Sequence, residues 1–225
     1  MVPLLTWYFN RFSNNPKGYS MKQIFLVICA LLVSSFTFAA ADFKEGVDYK
    51  KVENAKPGKG DSVEIIEFFN YACPHCKNLD PFIEEWRKSD KPESVSFKQV
   101  PVFWNSLYEN TAKAYHTAEY LKISEKMHPI IFEAIHEKNV NFEDEAAIKN
   151  LFVENGVDGK EFDKKYNSFY VKQNLALGSK QFQNYKLKSV PVFVVDGQWE
   201  VSLQTAQTHQ RLFKILNYLA ERSAK

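Results

Sequence analysis

Apolar positions along the chain change period several times, and the changes divide it into blocks. Val63 to Phe69 (VEIIEFF) is apolar at all but its two glutamates. That is too continuous for a one-sided strand and fits one covered on both faces. Beyond Asn70-Tyr71-Ala72-Cys73, Pro74 suits the first turn of a helix, where its missing N–H has no partner to lose. Leu79, Phe82, Ile83 and Trp86 then fall at i, i+3, i+4 and i+7, predicting a helix to about Lys88 with these four on its buried face. Pro81 inside it removes a hydrogen bond and predicts a kink. Val95 to Val100 alternates and ends at Pro101, which completes a βαβ unit.

From Asn105 to about Tyr185 the period is helical. Ala112, Tyr115, Ala118 and Leu121 share one face, and Ile130, Ile131, Ala134 and Ile135 another. Phe142 to Ala146 opens a helix carrying Ile148, Leu151 and Phe152, which Gly156 stops. Tyr166, Phe169, Tyr170, Leu175 and Phe182 are expected to pack in the core. Roughly eighty residues of helix between strands is far beyond an ordinary connection, so an inserted helical subdomain is expected. Strand character returns at Val190 to Val195. Asp196-Gly197 predicts a two-residue hairpin turn, and Trp199-Glu200-Val201 its returning partner. A last helix, about Ala206 to Arg222, turns Leu212, Phe213, Leu216 and Leu219 inward, and Tyr49 to Val52 is a candidate short edge strand near the start.

The first forty-one residues stand apart. Lys22 precedes a short apolar run to Val33, and Ala39-Ala40-Ala41 supplies an A-x-A site. This is the pattern of a secretory signal peptide cut before Asp42. Met21 is the expected initiator, with Met1 to Ser20 an upstream extension. The run is shorter than the roughly 20 residues an anchor needs, and the large Ile28 before Cys29 argues against lipidation. Cutting there removes Arg11, Lys17 and Lys22 and no acid, which leaves 26 basic against 27 acidic residues of the 29 and 27 in the whole chain. No basic stripe remains to favour nucleic acid or a membrane surface.

Export changes the meaning of the cysteines. The secreted part keeps only Cys73 and Cys76, in a compartment where disulfides persist. A loop this short stabilises little by chain entropy, so the pair serves chemistry. Two cysteines are too few for a four-ligand zinc site, and His116, His128, His136 and His209 show no ligand spacing with them. These histidines are read as ordinary helix residues, and no metal is expected. Cys73 falls at a helix N-terminus, where a thiolate is stabilised. The helix dipole contributes typically ~0.3–1 kcal/mol, up to ~2, against ~1.4 per pKa unit. A large shift therefore asks for His75 as a neighbouring cation or donor, together with direct N–H···S bonds. Cys76 is expected buried and inert. Glu64 and Glu67 are three apart and point to opposite strand faces, so at least one is buried. Glu67, nearer the cysteines, is the better candidate.

Cys73-Pro74-His75-Cys76, Val190-Pro191 and the helical block between them can now be taken together. With them the chain resembles the DsbA family of thiol:disulfide interchange proteins, thioredoxin-fold oxidases of the bacterial periplasm. The likeness covers nearly all of Asp42 to Lys225, including Glu67-Phe68-Phe69 and Asp196-Gly197; Pro81, which looks like the kink proline of thioredoxin itself, is a departure. The resemblance implies an α/β thioredoxin fold with an inserted α-helical subdomain: 42–104 and 181–225 as the thioredoxin-like parts, 105–180 as the insertion. It implies Cys73 as attacking thiol, Cys76 as its partner, and Pro74 and His75 as the residues between them. Glu67 would be the buried acid that exchanges a proton with Cys76, its charge compensated by Lys98 on the next strand. Val190-Pro191 would be a cis-proline loop facing the cysteines, with Val190 backbone groups pairing to an extended substrate. The implied activity is donation of the Cys73–Cys76 disulfide to reduced, newly exported proteins, with no cofactor beyond that disulfide. Re-oxidation by a quinone-linked membrane protein of the DsbB type and a monomeric state follow from the same likeness. A reductase or isomerase, and a non-catalytic binding module using the surface near Tyr71 and Val190, are the rival readings.

Overall fold

A computed structural model describes residues 43–224; the expected leader and the cut before Asp42 lie outside the described residues. One mixed sheet holds five strands: β1 (Lys50–Lys51), β2 (Val63–Phe69), β3 (Val95–Pro101), β4 (Val192–Val195) and β5 (Trp199–Ser202), in the order β1-β5-β4-β2-β3. β2 and β3 are parallel and joined by helix α1 (Pro74–Ser89), as the βαβ pattern predicts. β4 runs antiparallel to β2 and to β5, and β1 closes the far edge antiparallel to β5. The helical block between β3 and β4 comprises α2 (Ser106–Tyr120), α3 (Ser124–His136), α4 (Glu145–Glu154), α5 (Gly159–Tyr166) and α6 (Phe169–Asn184). After β5 come a single turn, α7 (Leu203–Ala206), and the last helix, α8 (His209–Ser223). Among the described residues no helix is long and apolar enough to cross a membrane.

β2 is central because both its faces are covered. Val63 and Ile65 pack with Leu79, Ile83 and Trp86 of α1 and with Leu212, Ile215, Leu216 and Leu219 of α8. Ile66 and Phe68 face the other way, onto Phe182 of α6, Leu187, Val192 and Val194. A third cluster joins Phe69, Tyr71 and Cys76 to Ala114, Met127, Ile131, Phe132 and Phe152 of the helical block. The block thus shares a core with the sheet end that bears the cysteines. α6 lies so close to β3 that a Cβ on Gly178 would stand 2.8 Å from Val100 Cγ1.

Several expectations are corrected. Phe82 is exposed and lies against His209. The buried stripe of α1 is centred on Cys76, Leu79, Asp80, Ile83 and Trp86, which turns Phe82 to its flank. Phe169 is 78% exposed and Tyr170 packs on Tyr120, because α6 buries Val171, Leu175, Gly178 and Phe182 instead. At the hairpin, Asp196 and Gly197 both have positive φ and Gln198 N–H bonds to Val195 O at 2.9 Å. Pairing resumes one residue later than a two-residue loop requires, with Val195 opposite Trp199. The last helix starts at His209, where the Thr208 side chain accepts from Arg211 N–H and Gln207, at φ 68°, separates it from α7.

Candidate active site

The cysteine pair sits where β2 hands over to α1. Asn70, buried at the strand end, fixes the turn: its Oδ1 accepts from Ala72 N–H at 2.7 Å and its Nδ2 donates to Val102 O at 2.6 Å. Its backbone carbonyl accepts from Cys73 N–H at 3.0 Å. Cys73 is thereby the N-cap of α1, with extended backbone (φ −84°, ψ 115°) and Pro74 in the first helical position. Its Sγ accepts the Cys76 N–H at 3.4 Å, an N-cap bond made by sulfur in place of oxygen. Helix N-termini leave such N–H groups unsatisfied, so they favour a negative acceptor. Both cysteines are thiols, Cys73 half-buried and Cys76 buried.

The two sulfurs behave oppositely. The Cys73 thiol is lowered from 9.0 to about 6, chiefly by the hydrogen bond from the Cys76 thiol, working against partial burial. The N–H groups of Cys76 and His75 add to this, and the His75 charge contributes least. Of the influences expected at Cys73, the N–H···S bonds are present, and His75 acts more as a backbone donor than as a cation; its ring is exposed. Cys76 is pushed up strongly, first by burial, then by its bond to Cys73 and the charge of Glu67.

Glu67 is 1% exposed, on the sheet face that carries α1, and burial raises its carboxyl from 4.5 to about 8. Its partner is not Lys98. Register puts Glu67 opposite Gln99, whose Nε2 donates to Oε2 at 2.9 Å. Lys98 stands opposite Ile66, so alternation turns it to the other face, where it pairs with Glu64. Facing the cysteines, the Val190–Pro191 peptide is cis, and Cys73 Sγ lies 3.7 Å from Val190 O.

Sequence reasoning missed three groups beneath this site. Asp80, His128 and Tyr71 are buried and joined: Tyr71 hydroxyl to His128 Nδ1 at 2.7 Å, and His128 Nε2 to Asp80 Oδ1 at 2.9 Å. Asp80 was within reach, since Cys76, Asp80 and Ile83 share one helical face. His128 joins Met127, Ile131, Phe132 and Ala134 among the buried residues of α3; a histidine among apolar neighbours does not announce its partners.

A family profile described as a DSBA-like thioredoxin domain matches residues 64–220. The chain belongs to the DSBA-like thioredoxin family. It is a thiol:disulfide oxidoreductase, and the fold is the family's thioredoxin fold with an inserted helical domain. The thiol:disulfide interchange protein DsbA of Azotobacter vinelandii is 31% identical over 209 residues, spanning 87% of this chain and 96% of that protein. DsbA of Burkholderia cepacia is 32% identical over 178 residues, or 78% and 84% of the two chains. The crystal structure of Pseudomonas aeruginosa DsbA superposes with a TM-score of 0.75 at 27% identity, covering 81% of this chain and 95% of that one.

Proposed function

We propose that the chain, exported to the periplasm, donates its Cys73–Cys76 disulfide to reduced, newly secreted polypeptides. One observation carries this reading: a half-exposed Cys73 sulfur at the α1 N-terminus, lowered to about 6, beside a buried Cys76 thiol. A substrate thiolate attacks Cys73 Sγ and the Cys73–Cys76 bond breaks. Cys76 leaves with the electron pair and takes a proton from Glu67, whose raised affinity keeps it protonated at neutral pH. A second substrate thiolate then attacks its own sulfur in the mixed disulfide, and Cys73 leaves as a stable thiolate. The substrate loses two electrons and gains a disulfide; the protein holds them as one thiol and one thiolate.

The low value at Cys73 sets the direction. At pH 7, a thiol lowered from 9.0 to about 6 stabilises the reduced protein by about 1.4 kcal/mol, and so raises the potential by about 30 mV. A good leaving group also resolves mixed disulfides quickly. Pro74 and His75 space the cysteines, and Val190 with Pro191 offers backbone to an extended client, a mode that reads side chains weakly. Residues 105–180 serve as the inserted subdomain on the thioredoxin-like parts 42–104 and 181–225. The protein works as a monomer without cofactor and is re-oxidised by a quinone-linked membrane oxidase of the DsbB type.

Oxidation of a reduced dithiol peptide by the pre-oxidised protein is the test. Stoichiometric formation of peptide disulfide, with loss of the Cys73–Cys76 bond, is expected. Binding without electron transfer would favour a binding module, and efficient repair of scrambled disulfides without net oxidation would favour an isomerase.

A further inference from the structure

Polar contacts continue past Glu67 into the molecule. Gln99 Nε2 donates to Glu67 Oε2 and also stands 3.3 Å from His128 Nε2. His128 reaches Asp80 with that same nitrogen and Tyr71 with the other. His128 is 6% exposed, Asp80 8% and Tyr71 1%, and none of the three takes part in the chemistry above.

The protons in this cluster constrain one another. Burial holds the Tyr71 phenol well above its ordinary value, so it keeps its proton, and the arrangement proposed below takes that O–H as the donor to His128 Nδ1. The imidazole proton is then on Nε2, pointing at the Asp80 carboxylate. An N–H there cannot accept from the Gln99 amide nitrogen, so two donors would face each other. A half-turn of the Gln99 amide removes the clash. Its Oε1 then accepts from His128 and faces Glu67, and Glu67 must carry a proton to bond to it.

We propose that His128 is a positioning residue for the disulfide exchange: held by Tyr71 and Asp80, its Nε2–H turns the Gln99 amide oxygen toward Glu67 and keeps that carboxyl protonated. The inference rests on the reading of Glu67 as the proton partner of Cys76. When the Cys73–Cys76 bond breaks, the Glu67 proton moves to Cys76 sulfur and leaves a carboxylate, to which Gln99 must turn its NH2. Asp80, Gln99 and His128 also border a cavity of about 830 Å³. Other titratable groups near the imidazole are Tyr115, kept neutral by burial, and Glu119 on α2. On α1, Arg87 favours the carboxylate at Glu67 and Asp80 opposes it.

The test follows the Glu67 carboxyl by ¹³C NMR against pH, alongside the pH dependence of the Cys73–Cys76 equilibrium with glutathione, both on the full protein. His128→Phe keeps the ring packing against Phe69, Tyr71 and Phe132 and removes the proton. Its Glu67 should lose its own proton about one pH unit lower, a tenfold weaker hold. This substitution also unpairs Asp80, whose charge raises the Glu67 value, and the Gln99→Leu background below separates that influence from the one carried by the amide. Tyr71→Phe frees the imidazole proton to move to Nδ1 and should lower the midpoint too; His128→Gln, which still offers an N–H, should restore it. In a Gln99→Leu background, His128→Phe should have no further effect. An unmoved midpoint in His128→Phe, or an equal fall without Gln99, overturns the proposal; should His128→Phe not fold, an unmoved midpoint in Tyr71→Phe overturns it. Failure of the underlying reading is separate: Glu67→Gln would then leave the pH dependence of the glutathione equilibrium unchanged, while the carboxyl titration still reports on His128.

Discussion

Cys73 and Cys76 are one helical turn apart, yet their surroundings differ as much as surface and core. Cys73 caps α1 with its sulfur and collects N–H and S–H donors while remaining half-exposed. Cys76 lies one turn deeper, 1% exposed, between the apolar cluster of the helical block and the buried Glu67. Donors favour the thiolate at the first sulfur, and burial with a neighbouring acid forbids it at the second. An asymmetric pair follows from position alone: one sulfur that attacks and leaves, and one that stays protonated until a partner removes its proton. The largest test of that asymmetry is to remove each sulfur in turn. Cys73→Ser should abolish oxidation of a dithiol peptide, since no mixed disulfide forms. Cys76→Ser should instead accumulate mixed disulfides with substrates on a non-reducing gel, because the resolving thiol is gone. Equal behaviour of the two variants would remove the distinction.

The same contrast gives the reduced protein two opposed pH trends. Glu67 binds its proton more tightly folded than unfolded, 4.5 raised to about 8, so its contribution is whole below about 4.5 and lost as pH rises through 8. The loss is on the order of 5 kcal/mol. Cys73 binds its proton less tightly folded, so it adds stability above the ordinary thiol value of 9.0 and loses it as pH falls through about 6. Urea midpoints of reduced Glu67→Gln should therefore rise from pH 5 through 7 to 8.5, while those of the parent fall from pH 5 to 7 and then stop falling, because the Cys73 gain offsets the Glu67 loss. Parallel curves for the two proteins would mean that Glu67 is not held protonated.

How much of this was legible in the sequence depended on the range of the interaction. Periodicity predicted β2, α1, β3 and the helical block, because each signal lies within a few residues of itself. The N-cap position of Cys73 was readable for the same reason: Pro74 and the stripe behind it mark the helix start. Glu67 was narrowed by strand parity. Lys98 went wrong because parity on β3 means nothing until register is known, and register is a tertiary fact. A single residue of register decided between Lys98 and Gln99 as the partner of the buried acid, hence between a charged and a neutral neighbour. Asp80, His128 and Tyr71 come from α1, α3 and the turn after β2, and no local pattern places those three segments together. Phe82 and Phe169 failed differently, since a helical stripe has edges and a helix end can project beyond its sheet.

The smallest expected effect concerns what lowers Cys73. The thiol hydrogen bond from Cys76 ranks first and the His75 charge last among the stabilising influences. Cys76→Ala, which removes that donor, should raise the pH at which Cys73 forms a thiolate by more than His75→Ala does. The His75 change should amount to a fraction of a unit, because its backbone N–H remains in place and its ring charge is screened by water. Thiolate absorbance against pH measures both. A reversed order would return the leading role to the imidazolium, and the first turn of α1 would then matter for where it holds the His75 ring more than for its backbone donors.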